Sequence, residues 1–149
     1  DKFNPFIFDF YCAKHVDVEL PYELVTITPE FMAPELIDDA KSCQNSFKID
    51  VYSYGIVLYL LFTNSERNPF ATSSDEILND TLQFKRPPFL YTDNQSDEKW
   101  KELIKLCWNR EINMRPSFEE ISDTLENNFF DSSIDKSQFF DYLNSFKKK

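Results

Sequence analysis

Few of the 149 residues have the types and spacing that chemistry requires. There is one histidine, His15, and three cysteines, Cys12, Cys43 and Cys107, far apart in the chain. Neither set supplies the clustered nitrogen and sulfur donors of a metal site. An odd, widely spaced cysteine set reads as free thiols in a reducing, cytoplasmic compartment. A lone glycine, Gly55, excludes both the dinucleotide fingerprint and the P-loop, which need several glycines for close backbone approach to phosphates. What remains is a scatter of carboxylates, hydroxyls and basic side chains spread along the chain. Taken by residue type alone, they specify no reaction.

The formal charge of −10 repels nucleic acid and anionic membranes. The one basic run, Lys147-Lys148-Lys149, reads as a solvated end. An apolar fraction of 42% with 17% aromatic residues indicates a folded domain that can bury a core. The longest uncharged run, Val51 to Ser65, carries Ser53, Thr63, Asn64 and Ser65 and is too short to cross a bilayer.

The elements that must position these residues read mainly as helices. Phe6-Ile7-Phe8 after Pro5 reads as a short strand or strand end. Residues 11 to 33, broken by Pro21 and Pro29, read as an extended loop. Pro34-Glu35 opens a short helix, because proline suits the first turn and an acid there suits the dipole. Residues 39 to 48 are polar and loop-like. Asp50 then caps a helix over Val51 to Thr63 that is apolar on nearly every face, as expected of a central helix packed on several sides. Ser73 and Glu76 have capping-box spacing before Ile77, Leu78 and Leu82, a unit ended by Pro87-Pro88. Trp100, Leu103, Ile104, Cys107 and Trp108 make a clean amphipathic stripe. Ser117 and Glu120 form a second capping box, opening a helix with Phe118, Ile121 and Leu125. Asp135 and Gln138 begin a last helix bearing Phe139, Phe140, Leu143 and Phe146.

Three stretches, in order, resemble protein kinase motifs. Ile27-Thr28-Pro29-Glu30-Phe31-Met32-Ala33-Pro34-Glu35 is similar to the G-T-P-x-[YF]-M-A-P-E that ends the kinase activation segment. Asp50-Val51-Tyr52-Ser53-Tyr54-Gly55-Ile56-Val57-Leu58 is similar to D-V-W-S-[FY]-G-V-x-L on the buried helix of the C-terminal lobe. Cys107-Trp108 followed by Arg115-Pro116-Ser117-Phe118-Glu119-Glu120-Ile121 is similar to C-W…R-P-S-F-x-E-I. Asn68-Pro69-Phe70 stands where kinases often carry an x-P-F turn. The chain thus resembles the C-terminal lobe of a protein kinase from Asp9 to Ile121. A serine/threonine-type M-A-P-E joined to a tyrosine-type C-W…R-P-S-F is similar to the tyrosine-kinase-like group. The implied fold is the mainly α C-terminal lobe over residues 1–127, with at most short strands at its N-terminal end and a helical extension over 128–149.

The resemblance assigns roles. Asp9-Phe10-Tyr11 stands at D-F-G, so Asp9 takes the place of the Mg²⁺ ligand on ATP. Tyr11 departs from the family's glycine and Ile27 from another. Thr28 corresponds to the substrate-docking threonine. Glu35 and Arg115 correspond to an ion pair tying the activation segment to the lower helices. In the family the Asp50 carboxylate holds the catalytic loop, and Gly55 allows close backbone approach. Tyr22, Thr26 and Thr28 are candidate phosphorylation sites.

The glycine-rich loop, the strand lysine, its helix glutamate and the H-R-D-x-x-x-x-N catalytic loop lie before D-F-G in the family, and eight residues precede Asp9 here. No general base is therefore expected within these 149 residues, and phosphotransfer and cofactor binding are expected to be absent from the chain alone. ATP and Mg²⁺ are implied for a parent kinase. The implied partners are a protein substrate or signalling partner and the missing N-terminal lobe. The competing reading is a pseudokinase-type scaffold.

Overall fold

The computed structural model describes residues 6–8, 10–13, 15, 28–39, 46–63, 73–89 and 95–128. They form helices α1 (Pro34–Asp39), α2 (Phe47–Thr63), α3 (Ser74–Leu82), α4 (Gln95–Cys107) and α5 (Phe118–Asn128). Short 3₁₀ turns lie at Phe10–Cys12, Pro29–Phe31 and Ile112–Met114. The architecture is mainly α, as expected of the helical lobe, and there is no strand among the described residues. Phe6-Ile7-Phe8, expected as a strand, is irregular and exposed. An apolar run becomes a strand only with a neighbour to hydrogen-bond, and the described residues offer none.

The centre is α2, packed along α4. Helix α2 starts one turn earlier than Asp50 capping would give. Ser46 is the cap: its Oγ accepts from the Lys48 amide at 3.2 Å and its carbonyl from the Ile49 amide at 3.1 Å. Asp50 lies instead within the first turn. Val51, Tyr52, Ile56, Leu58 and Tyr59 are buried against Leu103, Ile104, Cys107 and Trp108 of the α4 segment. Full burial of one such aliphatic side chain contributes about 1.5–3 kcal/mol.

The two helices meet closely at Gly55. A Cβ placed there would lie 2.8 Å from the Cys107 Cβ and 3.2 Å from the Trp108 amide nitrogen. Above this contact the rings of Tyr59, Phe62, Phe89 and Trp108 interlock at centroid distances of 5.4 to 6.1 Å. The Tyr59 hydroxyl donates to the Pro88 carbonyl at 3.0 Å.

Packing on all sides, expected for α2, is not what the described residues provide. Phe47, Val57 and Leu61 are 66%, 40% and 72% exposed. With half-buried Tyr54 they recur at helical spacing and form one stripe, flanked by Phe118, whose ring meets Tyr54 edge-on at 5.6 Å.

The capping boxes hold locally. Ser73 Oγ accepts from the Glu76 amide at 3.3 Å. Ser117 and Glu120 are reciprocal: the Glu120 amide donates to Ser117 Oγ at 3.1 Å, and the Ser117 amide donates to Glu120 Oε2 at 2.7 Å. Hydrogen bonding from Ser117, its backbone amide first and its side chain second, lowers the pKa of the Glu120 carboxyl.

Helix α3 stops at Leu82, well before Pro87-Pro88. The Lys85 amide donates to the Asp80 carbonyl and the Phe84 amide to the Thr81 carbonyl, at 2.9 and 3.1 Å. This is the Schellman pattern, with Phe84 at the position that usually carries glycine and with a φ of 55°. A side chain in that region costs on the order of 1–3 kcal/mol.

Candidate functional site

The described residues bring one constellation of the sequence-derived candidates together, around Arg115. Its side chain is fully buried. Nη1 donates to Glu35 Oε1 at 2.6 Å and to the Lys48 carbonyl at 2.9 Å. Nη2 donates to Glu35 Oε2 at 2.8 Å, and Nε to the Asn109 carbonyl at 2.9 Å. The guanidinium also lies 5.1 Å from the centre of the Tyr52 ring. Lys48 returns the contact, its Nζ donating to the Arg115 carbonyl. Only a planar fork with donors on three sides can hold a carboxylate and two carbonyls at once.

Local sequence explains how each partner arrives. Pro34 fixes the start of α1 and places Glu35 in its first turn. The Ser46 cap starts α2 early enough to turn the Lys48 carbonyl toward Arg115. The 3₁₀ turn at Ile112–Met114 closes with the Arg115 amide donating to the Ile112 carbonyl, and Pro116 follows.

A second tether was not legible beforehand. Ser53 Oγ donates to the Phe31 carbonyl at 2.8 Å, fixing the Pro29–Phe31 turn to α2. Ser53 stood inside a motif, but nothing marked its partner, 22 positions away. Thr28 is exposed at the head of this turn, its carbonyl accepting from the Phe31 amide. The stretch from Thr28 to Leu36 is thus held at Ser53 and at Arg115, with the side chain of Thr28 facing solvent.

Arg86 was also missed. Its guanidinium lies 5.4 Å from the centres of both the Tyr52 and Phe84 rings. Nη1 donates to the Lys85 carbonyl, and buried Nη2 has no partner among the described residues. Burial lowers its pKa. Burial likewise raises Tyr52, which Arg86, a hydrogen bond with Thr81 and Arg115 partly oppose.

The remaining candidates separate from this constellation. Asp9, Tyr22 and Thr26 lie outside the described residues. Tyr11 belongs to the Phe10–Cys12 turn and is 78% exposed, so among the described residues it fills no neighbouring space. Its φ is not positive either, Phe84 being the one non-glycine residue of that kind among those described. Asp50 is exposed overall, yet enough protein surrounds its carboxyl for desolvation to raise its pKa. Burial pushes the Cys107 thiol up to about 12. Among the described residues no group of three or more histidine, cysteine or acidic side chains could hold a metal ion. No described helix is long and apolar enough to cross a membrane.

The constellation is one that anchors a segment and leaves its edge open to solvent. Comparison with known proteins agrees with the motifs that supply it. The protein kinase domain family matches residues 3–130. A probable serine/threonine-protein kinase of Dictyostelium discoideum is 36% identical over 124 residues, 80% of this chain and 27% of that protein. The dual specificity protein kinase shkC of the same organism is 36% identical over 110 residues, 72% of this chain and 20% of its own length. Another probable serine/threonine-protein kinase from it is 36% identical over 104 residues, 66% of this chain and 10% of that protein. The chain spans about a quarter or less of these curated relatives. The protein kinase domain match runs through Glu35, Ser53, Gly55 and Arg115 alike, and the chain belongs to the protein kinase domain family.

Proposed function

We propose that this chain is the C-terminal, substrate-side part of a kinase domain of the tyrosine-kinase-like group. Its full gene product would transfer the γ-phosphoryl group of ATP to serine or threonine hydroxyls of proteins. The observation that carries this reading is the double anchoring of residues 28–36, by Glu35 on Arg115 and by Phe31 on Ser53. Positioning supplies much of phosphoryl-transfer catalysis, and a substrate-docking segment must be rigid at its base. Thr28, exposed at its edge, is the residue assigned to substrate docking.

Asp9 is assigned to Mg²⁺, which supplies charge neutralisation at the phosphates when bound. ATP and Mg²⁺ belong to the full gene product, and the 149 residues alone are assigned no cofactor. Tyr22, Thr26 and Thr28 are assigned as phosphorylation sites. A reducing intracellular compartment is assigned from the odd, widely spaced cysteine set. Residues 1–127 form the lobe and 128–149 its extension. The stripe Phe47, Val57 and Leu61, exposed among the described residues, is assigned as a surface for further kinase sequence.

A second reading, a pseudokinase-type scaffold, rests on Tyr11 at the glycine of D-F-G. The coding sequence upstream of Asp1 separates the two. An intact H-R-D-x-x-x-x-N, together with an Mg²⁺-dependent thermal shift on adding ATP to the full gene product, is expected for the kinase. A degraded loop and no shift would establish the scaffold instead.

A further inference from the structure

We propose that a cleft between the ends of α1, α3 and α4 docks a protein segment bearing a basic side chain next to an apolar one. The cleft has a volume of about 380 Å³ and lies between Pro34, Leu82, Phe84 and Ile112, with Asp38, Arg110 and Glu111 at its rim. That volume lies at the small end of the range of ligand pockets. The cleft shares Pro34 and Glu35 with the stretch that begins at Thr28 but is not lined by Thr28 itself, and it requires no phosphotransfer.

Phe84 is the first observation that points to a ligand. The Schellman turn after α3 asks for glycine, and the chain places a phenylalanine there at a φ of 55°. The ring is held by stacking: the Arg110 guanidinium lies 4.2 Å from its centre and that of Arg86 5.4 Å. A glycine would satisfy the backbone and leave no wall. Strain retained where a simpler residue would remove it points to use of the side chain.

Charge chooses the guest. Both Glu35 oxygens are taken by Arg115. The exposed carboxylates of Asp38 and Glu111 have no ion-pair partner among the described residues. Arg110, stacked on Phe84, is the one cation lining the cleft. Two open carboxylates against one guanidinium disfavour an anionic guest and favour a lysine or arginine. The chain's net charge of −10 steers such a partner toward it. An apolar neighbour on the guest then lies against Leu82 and Ile112.

The test is binding of the 149-residue chain to a peptide array that places lysine or arginine at each short spacing from leucine. A matched array carries glutamate in place of the basic residues. Preferential binding to the basic array is expected, with roughly tenfold loss in Asp38→Lys/Glu111→Lys. Phe84→Gly, which relieves the backbone, should lose binding with no loss of far-ultraviolet circular dichroism and no fall in melting temperature. This second variant decides the matter if the first does not fold. Equal binding of both arrays, preference for the acidic or a phosphoserine array, or undiminished binding by Phe84→Gly would overturn the proposal. So would a large gain in binding on deleting Lys147 to Lys149, which would make the chain's own end the occupant.

Discussion

Gly55 of α2 and Cys107 of α4 meet so closely that a methyl group on Gly55 would lie 2.8 Å from the Cys107 Cβ. Two effects compete in Gly55→Ala. Helix propensity favours alanine by about 0.8–1 kcal/mol. Overpacking costs about 1–3 kcal/mol, and here it wins, because the obstacles are a Cβ and the Trp108 backbone nitrogen rather than a flexible tip. Gly55→Ala is expected to lower the urea midpoint. Cys107→Ala, which keeps the Cβ, should not rescue it, whereas Cys107→Gly should do so in part.

Arg115 and Glu35 are expected to be the most costly pair to break. Removing one partner strands a buried charge and costs about 3–5 kcal/mol. Arg115→Ala and Glu35→Ala should each approach that loss in equilibrium denaturation, and the double variant should lose much less than their sum. Arg115→Lys should fail as well, because an ammonium cannot reach the Asn109 and Lys48 carbonyls and both carboxylate oxygens together. Additive losses near 1 kcal/mol would be the behaviour of a solvated pair.

Burial pushes the Cys107 thiol up to about 12, so its thiolate is scarce at pH 8. Thiolate is the reacting species in alkylation. Iodoacetamide at pH 8, followed by peptide mapping, should leave Cys107 unmodified in the native chain and label it in denaturant. Native labelling at the rate of a free thiol would show that the α2–α4 contact opens.

Asp50 gives a pH dependence whose sign differs from the usual carboxylate. Its folded pKa is raised by desolvation. The folded state then holds the proton more tightly than the unfolded one, so this group's contribution to stability falls as pH rises through the unfolded and then the folded pKa. Asp50→Asn should therefore raise the melting temperature more at pH 7 than at pH 4. A larger gain at pH 4 would contradict it.

The stripe of Phe47, Val57 and Leu61 is expected to drive self-association of the 149-residue chain, assisted by exposed Phe6, Ile7 and Phe8. Leu61→Lys with Phe47→Lys should shift light scattering toward the monomer. A chain already monomeric at high concentration would show that residues outside the described set cover the stripe.

The sequence carried local structure well and long-range contacts poorly, for physical reasons. The Ser73 and Ser117 capping boxes and the Leu103–Ile104–Cys107 stripe depend on residues within two turns, where periodicity operates. The start of α2 was misread because Asp50 and Ser46 are both good caps, and only the packing of Ile49 against the core decides for Ser46. Phe84 was missed because a phenylalanine gives no turn signal. Its conformation is fixed by Arg86 and Arg110, which meet it only in the fold. The Arg115–Glu35 contact spans 80 positions and has no periodic signature, so it entered through motif order alone. Asp9, on which metal binding rests, lies outside the described residues.

The most direct test of the central claim is transfer of radiolabelled phosphate from ATP, with Mg²⁺, to a generic protein substrate. The full gene product and the 149-residue chain are compared side by side. Incorporation into serine or threonine is expected from the full gene product, and none above background from the chain alone. Robust transfer by the chain alone, or none by a folded full gene product, would contradict it.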